Sequence, residues 1–205
     1  MADNTGKISQ NGNWITPEAR ASYAFVLKQG KPMPGKEPKY SISLLFPKDA
    51  DFTLAKKMAS DALQEKFGAR LADLNSTDPK KKAAAEAFKA RLKSPFRDQG
   101  EKDSAGYEPG CIFITATAKN RPGVVDASGA DILEERQVYS GCYVRASLRA
   151  FAYDVDGGVG VAFGLQNVQK LRDGEPLGGR SRPEDDFEPV AGAAAGASSA
   201  AGLFE

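Results

Sequence analysis

Apolar and polar residues alternate over residues 20–28, placing Tyr23, Phe25 and Leu27 on one side. A Gly/Pro/Lys loop covers residues 29–38. Alternation returns over residues 39–47, with Tyr40, Ile42, Leu44 and Phe46 on one face and Lys39, Ser41 and Ser43 on the other. From residue 51 the apolar period lengthens from two to about 3.6, the change from strand to helix. Asp51 is placed to cap a helix carrying Leu54, Met58, Ala62 and Leu63 on one stripe and ending at Gly68. Asp78-Pro79 opens a second helix over residues 80–93, with Ala84, Phe88 and Leu92 four residues apart and Pro95 as its stop. Residues 111–119 read as a third strand, followed by a short hairpin through Val124, Val125 and residues 127–129. The strongest strand is 137–153, too long to stay flat, with Gly141 marking a bend or bulge. A turn at residues 156–158 leads into a last strand over 159–171. The pattern predicts a mainly β domain with helices inserted between its second and third strands. A small five-stranded barrel fits it, and so does a β-sandwich or another α+β fold.

Composition divides the chain in two. All 28 Lys and Arg precede Pro183, as do 22 of the 27 acidic residues, so residues 1–182 carry +6 and residues 183–205 carry −5. The second segment runs Pro-Glu-Asp-Asp-Phe-Glu-Pro, then an Ala/Gly/Ser tract, then Gly-Leu-Phe-Glu. It has too little apolar surface to order itself, so one domain over 1–182 and a disordered tail over 183–205 are expected. The polar first ten residues and the lack of an apolar run near the ~18 residues of a membrane span predict a cytoplasmic protein.

Several chemistries drop out. The chain has no histidine, which removes Ser-His-Asp and Cys-His catalysis and leaves no ready metal site. Cys111 and Cys142 lie in apolar strand-like segments and read as small hydrophobes; a disulfide between them is disfavoured in a reducing compartment. Gly30-Lys31-Pro32-Met33-Pro34-Gly35-Lys36-Glu37 imitates a phosphate loop. However, Glu37 stands where Ser or Thr should hold magnesium, and two prolines delete amide donors. It reads as a basic loop. The glycines at 158, 160 and 164 read as a loosened strand. No metal, cofactor or enzymatic activity is predicted.

The longest strand carries the functional argument. One face holds Val144, Ala146, Leu148, Ala150 and Ala152, small and apolar as a tightly curved interior requires. The other holds Tyr143, Arg145, Ser147, Arg149, Phe151 and Tyr153. Rings interleaved with guanidinium groups suit unstacked bases, which offer flat π-faces, and their phosphates. Phe113, Lys119 and Arg121 form a second set with Thr115 and Thr117, and Lys28, Lys31, Lys36 and Lys39 charge the loop between the first two strands. The bland alternative is cross-strand packing of the rings with solvated arginines. The lone Trp14 reads as a core cap rather than a base platform.

These segments, in order, resemble a known family. They are residues 40–48 (Tyr-Ser-Ile-Ser-Leu-Leu-Phe-Pro-Lys) before a helix, residues 139–146, residues 151–154, 158–161 and 165–170, and residues 183–187. Together they are similar to the tailed-phage single-stranded-DNA-binding proteins, first catalogued as a domain of unknown function and distantly similar to the short-tailed-phage replication protein of that class. The likeness covers residues 7–188. It implies an OB-fold, binding of single-stranded DNA without strong sequence preference in replication or recombination, and no catalysis. It also implies an acidic tail that competes for the groove or recruits replication proteins such as a polymerase, helicase or recombinase. Glu184, Asp185, Asp186, Phe187, Glu188 and Phe204 are its candidate contacts. In the family the acidic block tends to be terminal and to end in an aromatic residue; here an Ala/Gly/Ser tract follows it, leaving Phe187 and Phe204 as alternative docking tips. A rival from another class is a phage structural or scaffold protein that uses the aromatic face as a subunit interface.

Overall fold

The computed structural model describes residues 4–32, 34–35, 37–155 and 158–178. Within them the chain runs β1 (Lys7–Ile8), β2 (Trp14–Ile15), β3 (Ala19–Phe25), β4 (Tyr40–Leu45), α1 (Thr53–Ala72) and α2 (Pro79–Arg91). It continues β5 (Leu92–Lys93), β6 (Arg97–Asp98), β7 (Ile112–Ala118), β8 (Gly123–Val125), β9 (Tyr143–Val155) and β10 (Gly158–Arg172). The fold is mainly β with two helices inserted between β4 and β7, as the change of period predicts.

β9 pairs with β3, β3 with β4, β4 with β7, β7 with β10, and β10 returns to β9. The five longest strands therefore form a cycle of pairings around one core. Trp14, Ile42, Leu44, Phe46, Ile114, Ala116, Val144, Leu148 and Phe163 fill it, all at most 2% exposed. Trp14 lies among Phe46, Phe52 and Phe163, with ring centroids 6.2, 6.4 and 5.7 Å away. It packs the interior, as the cap reading anticipated.

α1 packs on the inner side of β9 and β10. Ala150 and Ala152 are small enough to let it approach: the Ala150 amide donates to the Met58 sulfur at 3.5 Å, and Lys66 Nζ donates to the Ala152 carbonyl at 3.2 Å. The N-cap of α1 is Phe52 rather than the expected Asp51, which stands one residue earlier and accepts the Thr53 amide at 2.8 Å and its hydroxyl at 2.6 Å. Asp78 accepts the Lys80 amide at 2.9 Å, with Pro79 in the first turn of α2. α1 continues past its predicted stop at Gly68. Buried Phe67 meets Phe88 of α2 edge-on, centroids 5.1 Å apart, and Arg70 lies over Phe88 at 5.2 Å. That packing outweighs the roughly 1 kcal/mol helix cost of one glycine. α2 ends two residues earlier than predicted, because Leu92 and Lys93 pair in parallel with Val159 and Gly160. A Cβ on Gly160 would stand 2.4 Å from the Lys93 carbonyl oxygen, so this close approach needs glycine.

The strand predicted over 137–153 begins at Tyr143 instead. Residues before it form a 3-10 turn (Glu135–Gln137) and a bend at Gly141, whose φ is +122°. The sheet then extends to Val155, beyond the predicted end. Past β10, residues 173–178 fold back as a strap. Arg20 donates to the Glu175 carbonyl at 2.8 Å, and the Leu177 amide donates to the Ser140 carbonyl at 2.8 Å. The tail, with Glu184, Asp185, Asp186, Phe187, Glu188 and Phe204, lies outside the described residues, as does Lys36. Among the described residues no helix is long and apolar enough to cross a membrane.

Candidate functional site

Register builds the site across strands. Phe25 pairs with Ser41, Ser41 with Thr117, Thr117 with Gly164, and Gly164 with Arg149. At about 4.8 Å per strand this row spans at most about 19 Å. Its floor is small, Ser41, Thr117 and Gly164, so nothing tall stands between its ends. Beside it, Ser22 pairs with Ser43 and Ser43 with Thr115, and the last two hydroxyls are 3.0 Å apart. Rings stand at both ends. Phe151, 46% exposed, projects beside Arg149, its ring 3.7 Å from where a Gly164 Cβ would be. Tyr153 is half-buried on the same side. Phe25 and Tyr23, 41% and 49% exposed, flank the far end.

The cations line one rim. Lys39 precedes Tyr40, Lys119 follows Ala118, and Tyr40 pairs with Ala118, so both lysines leave adjacent strand ends. Lys28 and Lys31 lie in the β3–β4 loop, which returns to the row: the Gly30 amide donates to the Lys39 carbonyl at 3.2 Å, and the Phe25 ring lies against Gly30. Lys28, Lys31, Lys39, Lys119, Arg121 and Arg149 are all exposed. Several cations deduced from two distant segments thus meet along one edge.

Four of the expected residues stand elsewhere. Phe113 was expected as a stacking ring but is fully buried. Tyr107 packs against it at 5.6 Å, and Arg97 and Lys102 each lie 4.9 Å from its ring centroid. β6, with Arg97, and the loop after it, with Lys102 and Tyr107, cover Phe113 on β7, so Phe113 supports the surface from beneath. Tyr143 was expected as a stacking ring on the face of Phe151, but the Arg172 guanidinium lies 3.4 Å from its ring centroid and Gly174 lies against its edge. Ser147 is buried where Ile15 of β2 pairs with it. Arg145 donates to Gln169 at 2.7 Å, away from the row.

Sequence reasoning missed Lys102 and Tyr107, and read Tyr23 and Phe25 only as part of one side of a strand. A register shift after Ser22, with Tyr23 at φ +47°, breaks the β3 alternation and turns both rings outward. Lys102 lies 5.1 Å from the Tyr23 ring and 5.3 Å from Tyr107, adding charge to an aromatic end. The 99–110 loop holding it is shaped by buried Gln99, which donates to the Phe46 and Ile112 carbonyls and accepts the Glu108 amide. No signal in the chain pattern marks these contacts.

Cys111 and Cys142 are free and buried, and desolvation raises both thiol pKa values. Among the described residues no group of three acidic, Cys or His side chains is placed to hold a metal. The arrangement offers exposed rings, a low floor and a cationic rim, which is the chemistry for stacking flat apolar groups while neutralising attached anions.

The family model described as "Enterobacter phage Enc34, ssDNA-binding protein" matches residues 13–197. "Single-stranded DNA-binding protein from bacteriophage Enc34 in complex with ssDNA" superposes with a TM-score of 0.62 at 24% identity, covering 84% of this chain and 93% of that one. The Enc34 protein without DNA superposes with a TM-score of 0.59 at 23% identity, over 89% and 94%. At these identities the likeness establishes the fold. "Putative protein p50" of Acyrthosiphon pisum secondary endosymbiont phage 1 is 34% identical over 97 residues, 46% of this chain and 52% of that protein. The chain thus spans about half the length of that curated relative.

Proposed function

The chain belongs to the Enc34 phage ssDNA-binding protein family, and on that premise we propose that it binds single-stranded DNA on the outer face of β4, β7, β10 and β9. One observation carries the reading: the row from Phe25 to Arg149 has a floor of small residues, rings at both ends and a lysine rim. Bases lie over Ser41, Thr117 and Gly164 and stack on Phe151, Tyr153, Phe25 and Tyr23. Each such stack contributes about 1–3 kcal/mol and is indifferent to base identity. Lys28, Lys31, Lys39, Lys119, Arg121 and Arg149 neutralise phosphates, with Lys36 in the same loop. The closed cycle of five paired strands supports an OB-type barrel as the scaffold.

In this reading the protein coats and protects single strands during phage replication or recombination, in the host cytoplasm, and acts by binding rather than catalysis. The strap supports a regulatory role for the acidic tail over 183–205. Leu177 packs against Gly106, in the loop holding Lys102 and Tyr107. In this reading the −5 segment, which begins six residues after Leu177 in the sequence, competes for the cationic rim until DNA displaces it, and then offers Phe187 or Phe204 to replication proteins.

The test is a titration of full-length protein and a 1–182 truncation with fluorescent oligo-dT at two salt concentrations. Neutralising about five phosphates gives a log–log salt slope near −3.5. The truncation is expected to bind more tightly. A salt-independent affinity, or equal competition by circular duplex DNA, rejects the proposal. A stable oligomer that buries Phe151 and ignores oligo-dT establishes the rival reading, a subunit interface.

A further inference from the structure

Beyond the ring-bearing row, the outer face of β9 and β10 continues into a trough. Five strands build it side by side. β1 pairs with β2, β2 with β9, β9 with β10, and β10 in parallel with β8. The β1–β2 hairpin forms one wall and β8, at Val125, the other. The space between encloses about 330 Å³. Lys7 and Asn13 face it from the hairpin, Arg145 and Ser147 from β9, and Asn167 and Gln169 from β10.

The lining is cationic and amide-rich, with no carboxylate. Its key groups are preorganised. Gln169 accepts the Arg145 Nε–H at 2.7 Å and donates through Nε2 to the Asp126 and Ala127 carbonyls at 2.9 and 3.3 Å. Asp126 in turn holds its own loop, accepting from the Ser128 and Ala130 amides at 2.8 and 3.0 Å and the Ser128 hydroxyl at 2.6 Å. A locked guanidinium flanked by carboxamides fits a phosphodiester together with the hydrogen-bonding edge of a base.

Continuity says which polymer enters. Arg145 and Phe151 project from the same face of β9, six residues or about 20 Å apart along the strand. β7 meets β10 at Gly164 and β8 meets it at Asn167, so the connection carrying Lys119 and Arg121 runs beside the passage from the row to the trough. We propose that this trough is a second station for the same single strand, gripping one nucleotide's phosphate and base edge after the strand leaves Arg149. The inference rests on the row being the primary DNA face.

The test compares dT4 with dT12 on full-length protein, using Lys7→Glu/Asn167→Asp and, separately, Phe151→Ala. Both residues of the first variant are exposed, and a melting curve checks that it folds. The expected result is unchanged dT4 affinity and at least a fivefold loss for dT12, erasing most of the gain with length. Wild-type dT12 affinity in the trough variant overturns the second station. So does an equal loss for both lengths, which reports only a changed net charge. Phe151→Ala should weaken both oligonucleotides; if it weakens neither, the primary face fails, whatever the trough variant does.

Discussion

Two phenylalanines thirty-eight residues apart test the site by opposite responses. Phe151 is 46% exposed, so about half its side chain is withdrawn from water. Truncation to alanine forfeits roughly half the 1.5–3 kcal/mol of a fully buried Phe, about 1 kcal/mol. For a chain this size that lowers Tm by about 2–4 °C. If its ring stacks a base, the same change removes about 1–3 kcal/mol of binding, a loss of about 5- to 150-fold in affinity. Phe113 is fully buried beneath Tyr107, Arg97 and Lys102. Phe113→Ala should cost about 3–5 kcal/mol of stability, lowering Tm on the order of 10 °C. At a temperature where it remains folded its affinity should fall far less than that of Phe151→Ala. Fluorescence anisotropy with oligo-dT and thermal unfolding read both quantities from the same samples. Wild-type affinity in Phe151→Ala, or a large affinity loss with normal melting in Phe113→Ala, refutes the assignment of the two rings.

Three other predictions follow from single contacts. Gly164→Leu should fold, since a Cβ there meets only ordinary contacts from 3.6 Å outward, but should weaken oligo-dT binding at least fivefold by raising the floor; unchanged affinity in a gel shift places DNA elsewhere. Gly141→Ala should destabilise by more than 1 kcal/mol in urea unfolding, because φ is +122° and its Cβ would stand 2.1 Å from the Glu175 carbonyl oxygen; a neutral effect removes the strap as a fixed element. The Ser128 hydroxyl, then the Ala130 and neighbouring amides, hold the Asp126 carboxyl below its ordinary pKa. A depressed carboxylate stabilises the fold above its unfolded value and loses that effect as pH falls through the folded one. The Tm gap between wild type and Asp126→Ala should therefore be constant above about pH 5 and close toward pH 2; a gap that widens in acid contradicts the loop's electrostatic origin.

The main strands, both helices and the alternation of β9 were legible because burial follows chain period there. Val144, Ala146 and Leu148 face the core, while Arg149 and Phe151 face out. The lysine rim was legible as charge, although only the pairing of Tyr40 with Ala118 brings its two segments together. What alternation does not encode is which part of an outward face another segment covers. Arg172 comes from the far end of β10 to lie over Tyr143, β2 covers Ser147, and the 99–110 loop roofs Phe113. A register shift in β3 turned Tyr23 and Phe25 outward against their apparent pattern. The short strands β1, β2, β5 and β6 have two residues each, too few to show a period.

Photo-crosslinking is the most direct probe of where the strand lies. Oligo-dT carrying 5-iodouracil, irradiated on the full-length protein and mapped by mass spectrometry, is expected to mark Phe151 or Tyr153 at one end of the row and Phe25 or Tyr23 at the other. Adducts confined to α2 or to Tyr143 beneath the strap, with none on the row, contradict the account.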